Sequence, residues 1–158
     1  MPRGLIATAA TTIDAREAAV WDALVNPEVI QRWMAGARVE SDWKEGSRIV
    51  WRGEWQGRSF EDTGTVLRVA PGRLLEFSHL SARSGAPDRP ENRHTVTIEL
   101  RREGQRTVVT LAQDGNPSES AREHAQQNWS AMLGALKRAV EDQVRGLEAD
   151  LEGMPGPG

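Results

Sequence analysis

The sequence predicts an α+β domain in which a curved, mainly antiparallel sheet of about seven strands wraps on a long C-terminal helix. Between residues 37 and 114, apolar and polar residues alternate in six segments, which are separated by short Gly-containing turns and one longer loop. From residue 118 onward, apolar residues recur every three or four positions instead, which is typical of an amphipathic helix. A first strand and two short helices are predicted before these segments.

The N-terminal part of the chain supplies that strand and those helices. Residues 5–13 alternate weakly and are rich in Thr, so they are interpreted as a strand. Asp14 is predicted to cap the first helix, because its side chain can accept hydrogen bonds from the N–H groups of the first turn. Asn26 and Pro27 end that helix, and Pro27 suits the first position of a second one. Gly36 is expected to end the helical region.

The C-terminal helix carries one continuous apolar stripe. Ser118 is its predicted N-cap, with Glu119 in the first turn. The stripe consists of Trp129, Met132, Leu133, Leu136, Val140, Val144, Leu147 and Leu151. Residues 1–151 are therefore predicted to form a single domain, and residues 152–158 a disordered tail.

Composition excludes several classes of function. The formal net charge is −3, and the basic residues are scattered among acidic ones, which argues against nucleic acid or membrane as a partner. The absence of Cys excludes disulfides, thiol nucleophiles and Cys-ligated metals. No nucleotide-binding or nucleophile motif is present, and no cofactor or metal is predicted. A signal peptide and a membrane span are not apparent, so we expect a cytoplasmic protein.

The predicted architecture favours an internal cavity. A twisted sheet curves more than a straight helix can follow, so space remains between them unless large side chains fill it. The predicted ligand-lining residues come from two sources: strand alternation gives Trp51, Trp55, Phe77, His79, His94, Val96, Leu111 and Gln113, and the predicted helices contribute Trp33, Asn128, Trp129 and Met132. Apolar walls with a few polar groups are typical of small-molecule pockets. For each residue, simple core packing remains the alternative.

Two histidines are the candidates for chemistry. His79 and His94 flank the polar loop at residues 81–92, so hairpin pairing would bring them together. Three roles are considered for this pair. Hydrogen bonding to the loop backbone is the favoured interpretation, general acid/base catalysis is the second, and metal binding is the third. The loop is interpreted as a surface loop or a lid. Outward or edge positions are expected for the carboxylates Glu54, Glu61, Asp62 and Glu76.

Three segments carry a family resemblance: TTIDAREAAVWDALVNPEVIQRWM, GTVLRVAPGRLLEFS and NWSAMLGALKRAVED. Together they resemble the START-like, or polyketide-cyclase-like (SRPBCC), superfamily with the helix-grip fold, and most of all the group named after the C-terminal domain of the heat-shock-protein-90 ATPase activator. The resemblance implies a hydrophobic cavity between sheet and C-terminal helix. In some branches that cavity binds lipids or hormones, and in others it positions polyketides for cyclisation or dehydration. Asn128 stands where the family often has Gly.

Three functions are compatible with these observations. The first is a binding domain that encloses a small apolar or aromatic molecule. The second is a cyclase- or dehydratase-type enzyme that uses His79 or His94. The third is a chaperone-linked or stress-response interaction module, which would need an apolar patch on the outer sheet face. Val50, Val66 and Val108 are the candidates for such a patch, which would equally serve as a homodimer interface.

Overall fold

A computed structural model describes residues 4–34, 36–55, 57–80 and 93–153 of the protein, and the side chains of these ranges except those of residues 55 and 147–153. The elements are β1 (Leu5–Ile13), α1 (Glu17–Val25), α2 (Pro27–Trp33), β2 (Arg38–Glu40), β3 (Arg48–Trp55), β4 (Arg58–Ala70), β5 (Leu74–Leu80), β6 (His94–Glu103), β7 (Arg106–Asn116) and α3 (Glu119–Gly153). The predicted lid at residues 81–92 and the tail residues 154–158 lie outside the described residues.

The seven strands of the described ranges form one antiparallel sheet in the order β1-β7-β6-β5-β4-β3-β2. Strands β2 to β7 therefore form a meander, and β1 joins its far edge by pairing with β7. Gly72 and Gly104 supply the positive φ angles of two hairpin turns, 81° and 62°. The predicted fold class, a curved antiparallel sheet with two short helices after the first strand and a long C-terminal helix, is confirmed.

The start of α1 differs from the prediction. Its N-cap is Arg16, which makes no side-chain capping bond, so the assignment of Asp14 as the cap is wrong. The backbone N–H of Asp14 instead donates to Glu141 Oε2 over 2.9 Å, which ties this turn to α3. The break between the two helices is confirmed, because Pro27 begins α2 and Asn26 Oδ1 accepts from the backbone N of Glu28 over 3.1 Å.

Helix α3 begins as predicted, since Ser118 Oγ accepts from the backbone N of Ala121 over 3.1 Å. The helix lies mainly along β1, with further contacts to β7, α1 and α2. Lys137 Nζ donates to the carbonyl of Thr12 over 2.7 Å, so a helix side chain satisfies a backbone group of the edge strand. The helix continues to Gly153, two residues into the predicted tail.

Glu141 is the acidic partner in this docking. Burial alone would raise the pKa of its carboxyl group, but hydrogen bonds from Lys137 Nζ and the backbone N of Asp14 outweigh burial and lower that pKa below its usual range. The Lys137 contact measures 2.7 Å. Lys137 and Glu141 form an ion pair within α3, and their hydrogen bonds to the backbone of Thr12 and Asp14 hold the helix to the β1–α1 corner.

The core lies between the inner face of the sheet and the helices. It contains Trp51, Phe77, Val96 and Leu111, which strand alternation predicts to point inward. The other core residues include Ile49, Leu75, Ile98, Leu100 and Val109 of the sheet and Leu133, Leu136 and Val140 of α3. The predicted outer patch does not form, because Val66 is 1% exposed and belongs to this core, and Val50 is also buried. A bulge in β4 follows Val66, so Val66 keeps the inward side that it shares with Gly64. Among the described residues, no helix is long and apolar enough to cross a membrane.

Candidate functional site

Aromatic side chains meet on the inner face of β3, β4 and β5. The Trp51 ring lies 5.5 Å from the Phe77 ring, tilted by 48°, and 5.1 Å from the His79 ring, edge-on at 81°. Trp51 and Phe77 are buried, whereas His79 is half-buried. Such ring pairs contribute about 0.5–1.5 kcal/mol beyond the apolar area that they bury. The apolar core therefore ends, at this side, in an imidazole ring.

Gly64 makes the aromatic arrangement sterically feasible. A Cβ at this position would lie 1.9 Å from the backbone O of Ser78 and 3.1 Å from Cη2 of Trp51. The first distance is far below van der Waals contact, so any other residue would push β4 and β5 apart. The bulge of β4 comes after Val66, and Gly64 itself permits the close approach of the two strands.

His79 is bonded to a carboxylate on the neighbouring strand. Its Nε2 lies 3.1 Å from Asp62 Oδ2, and the two side chains are 27% and 15% exposed. Because a carboxylate oxygen can only accept, Nε2 carries the proton of the neutral ring, and Nδ1 keeps a lone pair. The expectation of an outward or edge position for Asp62 is wrong, since it shares the inward parity of Gly64 and Val66.

His94 lies directly opposite His79 in the β5–β6 register, as hairpin pairing predicted. Its Nδ1 is 2.9 Å from the backbone O of Asp114. A carbonyl oxygen also only accepts, so Nδ1 carries the proton and Nε2 keeps a lone pair in the neutral ring. Gly115 leaves room for this contact, because a Cβ there would lie 2.8 Å from His94 Nδ1.

A third polar contact links the sheet to α3. Trp129 Nε1 donates to Gln113 Oε1, and both side chains are half-buried. Gln113 lies opposite Val96 in the β6–β7 register, two residues along β6 from His94. With its oxygen committed to Trp129, the Gln113 side chain offers its NH₂ group as a donor. The tryptophan at the head of the apolar stripe thus contacts a polar residue on the inner face of the sheet.

The other predicted lining residues are distributed as follows. Trp33 is buried, and its Nε1 donates to the backbone O of Ala23 over 2.8 Å, so it packs α2 against α1. Val96 and Leu111 belong to the core, and Met132 is half-buried. Asn128 is exposed, so its expected place beside the interior is wrong. The side chain of Trp55 lies outside the described part of the chain.

The cavity predicted between the sheet and α3 stays a prediction. In that region the structure has a cluster of buried apolar side chains. Within the described part of the chain, open depressions lie at other places. One, of ≈ 540 Å³, is lined by Thr8, Ala9, Ala10, Thr97, Glu99, Thr110, Leu111 and Ala112 of β1, β6 and β7. The other runs along α3 and is lined by Glu123, Gln126, Gln127 and Ser130. Among the residues that the structure describes, no three His, Asp or Glu side chains are grouped to hold a metal ion.

Comparison with known proteins places this geometry in a family. The family model described as Activator of Hsp90 ATPase homolog 1-like protein matches residues 14–141. Comparison with curated proteins finds no match.

Solved structures show the same fold. The solution structure of ChR145 from Cytophaga hutchinsonii is 47% identical, with a TM-score of 0.79, over 92% of this chain and 99% of that one. CalU16 from Micromonospora echinospora is similar at 21% identity and a TM-score of 0.64, covering 95% of this chain and 92% of that one. Ara h 8.0201 shares 8% identity and a TM-score of 0.68, over 87% and 98% of the two chains. The chain belongs to the family of Activator of Hsp90 ATPase homolog 1-like proteins.

Proposed function

We propose that this protein binds a small apolar or aromatic molecule at the inner aromatic site, defined here as Trp51, Asp62, Phe77, His79 and His94. The observation that carries the proposal is that the inner face of the sheet changes from buried aromatic side chains to a half-buried histidine. Trp51 and Phe77 are less than a tenth exposed, and the next inward residue on β5 is the half-buried His79. An apolar surface that ends in a few oriented polar groups is the usual composition of a small-molecule site.

The route of α3 across the sheet supports this location. The helix packs mainly along β1, at one edge of the sheet, with further contacts to the neighbouring β7, whereas the inner aromatic site lies on β3 to β6. Family membership supports a ligand-binding domain in general and leaves the ligand to be found by experiment. Because Trp51 and Phe77 already contact each other, a ligand ring must displace one of these side chains or extend their cluster beyond His79.

A matched pair of tryptophan variants tests the proposal. Native mass spectrometry of the purified protein, compared with the same sample after denaturation, shows whether a small molecule is retained and gives its mass. Titration with a panel of fluorescent aromatic molecules then measures affinity. We expect Trp51→Phe to weaken binding about tenfold, as the loss of one good apolar contact would. Trp21→Phe, at a half-buried position on α1, serves as the control and should bind as the wild type does.

Retention of affinity by Trp51→Phe, with the Trp21→Phe control unchanged, would place the ligand elsewhere. If neither the wild type nor the variants bind any member of the panel, and the native mass is that of the bare chain, the binding proposal is wrong. The function would then have to be sought on the outer surface.

A second function, a cyclase- or dehydratase-type enzyme, is favoured by one observation, the hydrogen bond between Asp62 and His79. A carboxylate that holds an imidazole in one tautomer is the arrangement of a general base. The double variant His79→Gln, His94→Gln separates the two functions. Complete loss of substrate conversion with only weakened binding would indicate catalysis, and weakened binding without any conversion by the wild type would indicate a binding domain.

A further inference from the structure

We propose that the inner aromatic site selects ligands with an acidic hydroxyl group, a phenol or an enol, and binds them as the anion, with the ligand proton held at His79 Nδ1. This inference rests on the proposed function, because it specifies the class of molecule that the site takes. It follows from the hydrogen-bond partners of the two imidazoles and from the charge beside one of them.

Both histidines present an acceptor to a ligand. The Asp62 carboxylate and the Asp114 carbonyl cannot donate, so they hold the protons of His79 at Nε2 and of His94 at Nδ1. Among the described residues, no hydrogen bond occupies the remaining nitrogen of either ring. A ligand that carries only ether or ketone oxygens therefore finds no donor on either neutral ring, whereas a hydroxyl group finds two acceptors.

Of the two rings, His79 is the one suited to take a proton. Its partner is a carboxylate, and the imidazolium formed by proton transfer would lie between that carboxylate and the ligand anion. The partner of His94 is an uncharged carbonyl, while the Asp114 carboxylate accepts from the backbone N of Thr95 over 2.7 Å. The titratable groups that face His79 within the described residues are Asp62 on β4 and His94 on β6, and β3 contributes the uncharged Trp51.

The transfer is balanced and needs no other reactant. The O–H bond of the ligand breaks, an N–H bond forms at His79 Nδ1, and the electron pair stays on the ligand oxygen as an anion. The net charge of the complex does not change. Because Asp62 is 15% exposed and Trp51 covers one side of the ring, the charges interact in a partly desolvated setting, where attraction between them is stronger than in water.

The test uses 4-nitrophenol, whose anion is yellow and whose neutral form is not. The wild-type protein is titrated with it slightly below the pH at which the free probe ionises. We expect the yellow anion band to grow with bound probe, and the ionisation of the bound probe to shift to lower pH. 4-Nitroanisole has the same ring without the proton, and we expect it to bind about tenfold more weakly.

Variants assign the effect to residues. Asp62→Asn keeps the size of the side chain and removes its charge, so we expect at least a tenfold loss of the anion band at equal occupancy. His79→Gln should abolish the band. His124→Gln, an exposed position on α3, is the control and should behave as the wild type does. Circular dichroism reports whether each variant is folded, and the wild-type comparison of the two probes needs no variant.

The outcomes separate this inference from the proposed function. If both probes bind equally and the bound nitrophenol keeps the spectrum of its neutral form, the inference is overturned while the binding site stands. The same holds if folded Asp62→Asn produces the anion band in full. If the wild type binds neither probe, nor any member of the aromatic panel, both are wrong.

Discussion

The polar groups at the corner between α3 and β1 and those at the inner aromatic site differ in their hydrogen bonding. At the corner where α3 meets β1, Lys137 Nζ bonds the carbonyl of Thr12, and Glu141 accepts from Lys137 and from the backbone N of Asp14. These groups bond one another and fix the position of the helix. At the inner aromatic site, His79 and His94 each commit one ring nitrogen to an acceptor and present the other to a ligand.

This difference separates structural from functional polar residues. Near α3 the hydrogen bonds link elements far apart in the chain, and the charges neutralise each other. On β5 and β6 the two imidazoles lie opposite each other at the end of an aromatic cluster, where a structural role would be served as well by apolar residues. Changes at the α3 corner should therefore alter stability, and changes at the inner aromatic site should alter binding.

The largest effect is expected where the inner aromatic site depends on close packing. Gly64→Ala would place a Cβ 1.9 Å from the backbone O of Ser78, so β4 and β5 must separate. We expect a loss of about 1–3 kcal/mol in the free energy of unfolding, measured by chemical denaturation, together with weaker ligand binding. Gly134→Ala on α3 is the control.

At Gly134 the same substitution meets only the end of the flexible Arg138 side chain at 3.5 Å. We expect it to stabilise the protein by up to about 1 kcal/mol, because Ala favours a helix over Gly. Equal and small effects of the two substitutions would show that the β4–β5 approach is adjustable, and would contradict the view that Gly64 is needed there.

The sequence predicts the aromatic residues of the inner aromatic site but not the inward position of Asp62. Trp51, Phe77 and His79 follow from alternation along β3 and β5, which strand periodicity makes visible. Asp62 was misplaced because β4 runs through Thr63, Gly64 and Thr65, where apolar alternation is too weak to assign a face. The apolar residues of the same parity, Phe60 and Val66, lie at the two ends of this stretch, and Val66 is itself predicted on the outer face.

The first residue of α1 and the presence of a cavity could not be predicted from the sequence, because both depend on tertiary packing. Asp14 has the chemistry of an N-cap, yet α1 begins only after Arg16, and the turn at Asp14 is held by a backbone hydrogen bond to Glu141, a residue 127 positions away in the chain. Such a contact depends on the docking of α3, which local propensity does not encode. Whether large side chains fill the space under a curved sheet likewise depends on their packing, and periodicity predicts only which residues point inward.

A smaller effect is expected at the α3 corner, and it should depend on pH. The pKa of Glu141 is lowered in the folded protein, so the unfolded chain binds more protons and stability rises with pH. The contribution is complete above the usual carboxyl range and is lost as pH falls through the folded-state pKa. Glu141→Gln should cost about 1 kcal/mol at neutral pH, because it removes the charge of a hydrogen-bonded pair.

Chemical denaturation of the wild type and Glu141→Gln over a series of pH values checks this prediction. The two free energies of unfolding should converge as pH falls, while binding of the aromatic panel at neutral pH stays the same for both proteins. A difference that persists in acid would mean that the charge of Glu141 does not stabilise the folded state.

The smallest effect on binding and stability is expected at Asn128, which is exposed, whereas the next residue, Trp129, is half-buried against the sheet. Successive residues of an α-helix point about 100° apart, so Trp129 faces the sheet and bonds Gln113 while Asn128 faces solvent. We expect Asn128→Ala to leave ligand binding unchanged and to alter stability by no more than about 0.5 kcal/mol. Trp129→Phe, which removes the indole donor and frees the Gln113 oxygen, should weaken binding. If Asn128→Ala weakened binding as much as Trp129→Phe does, the ligand would have to contact the outer side of α3, and the inner aromatic site would no longer account for recognition.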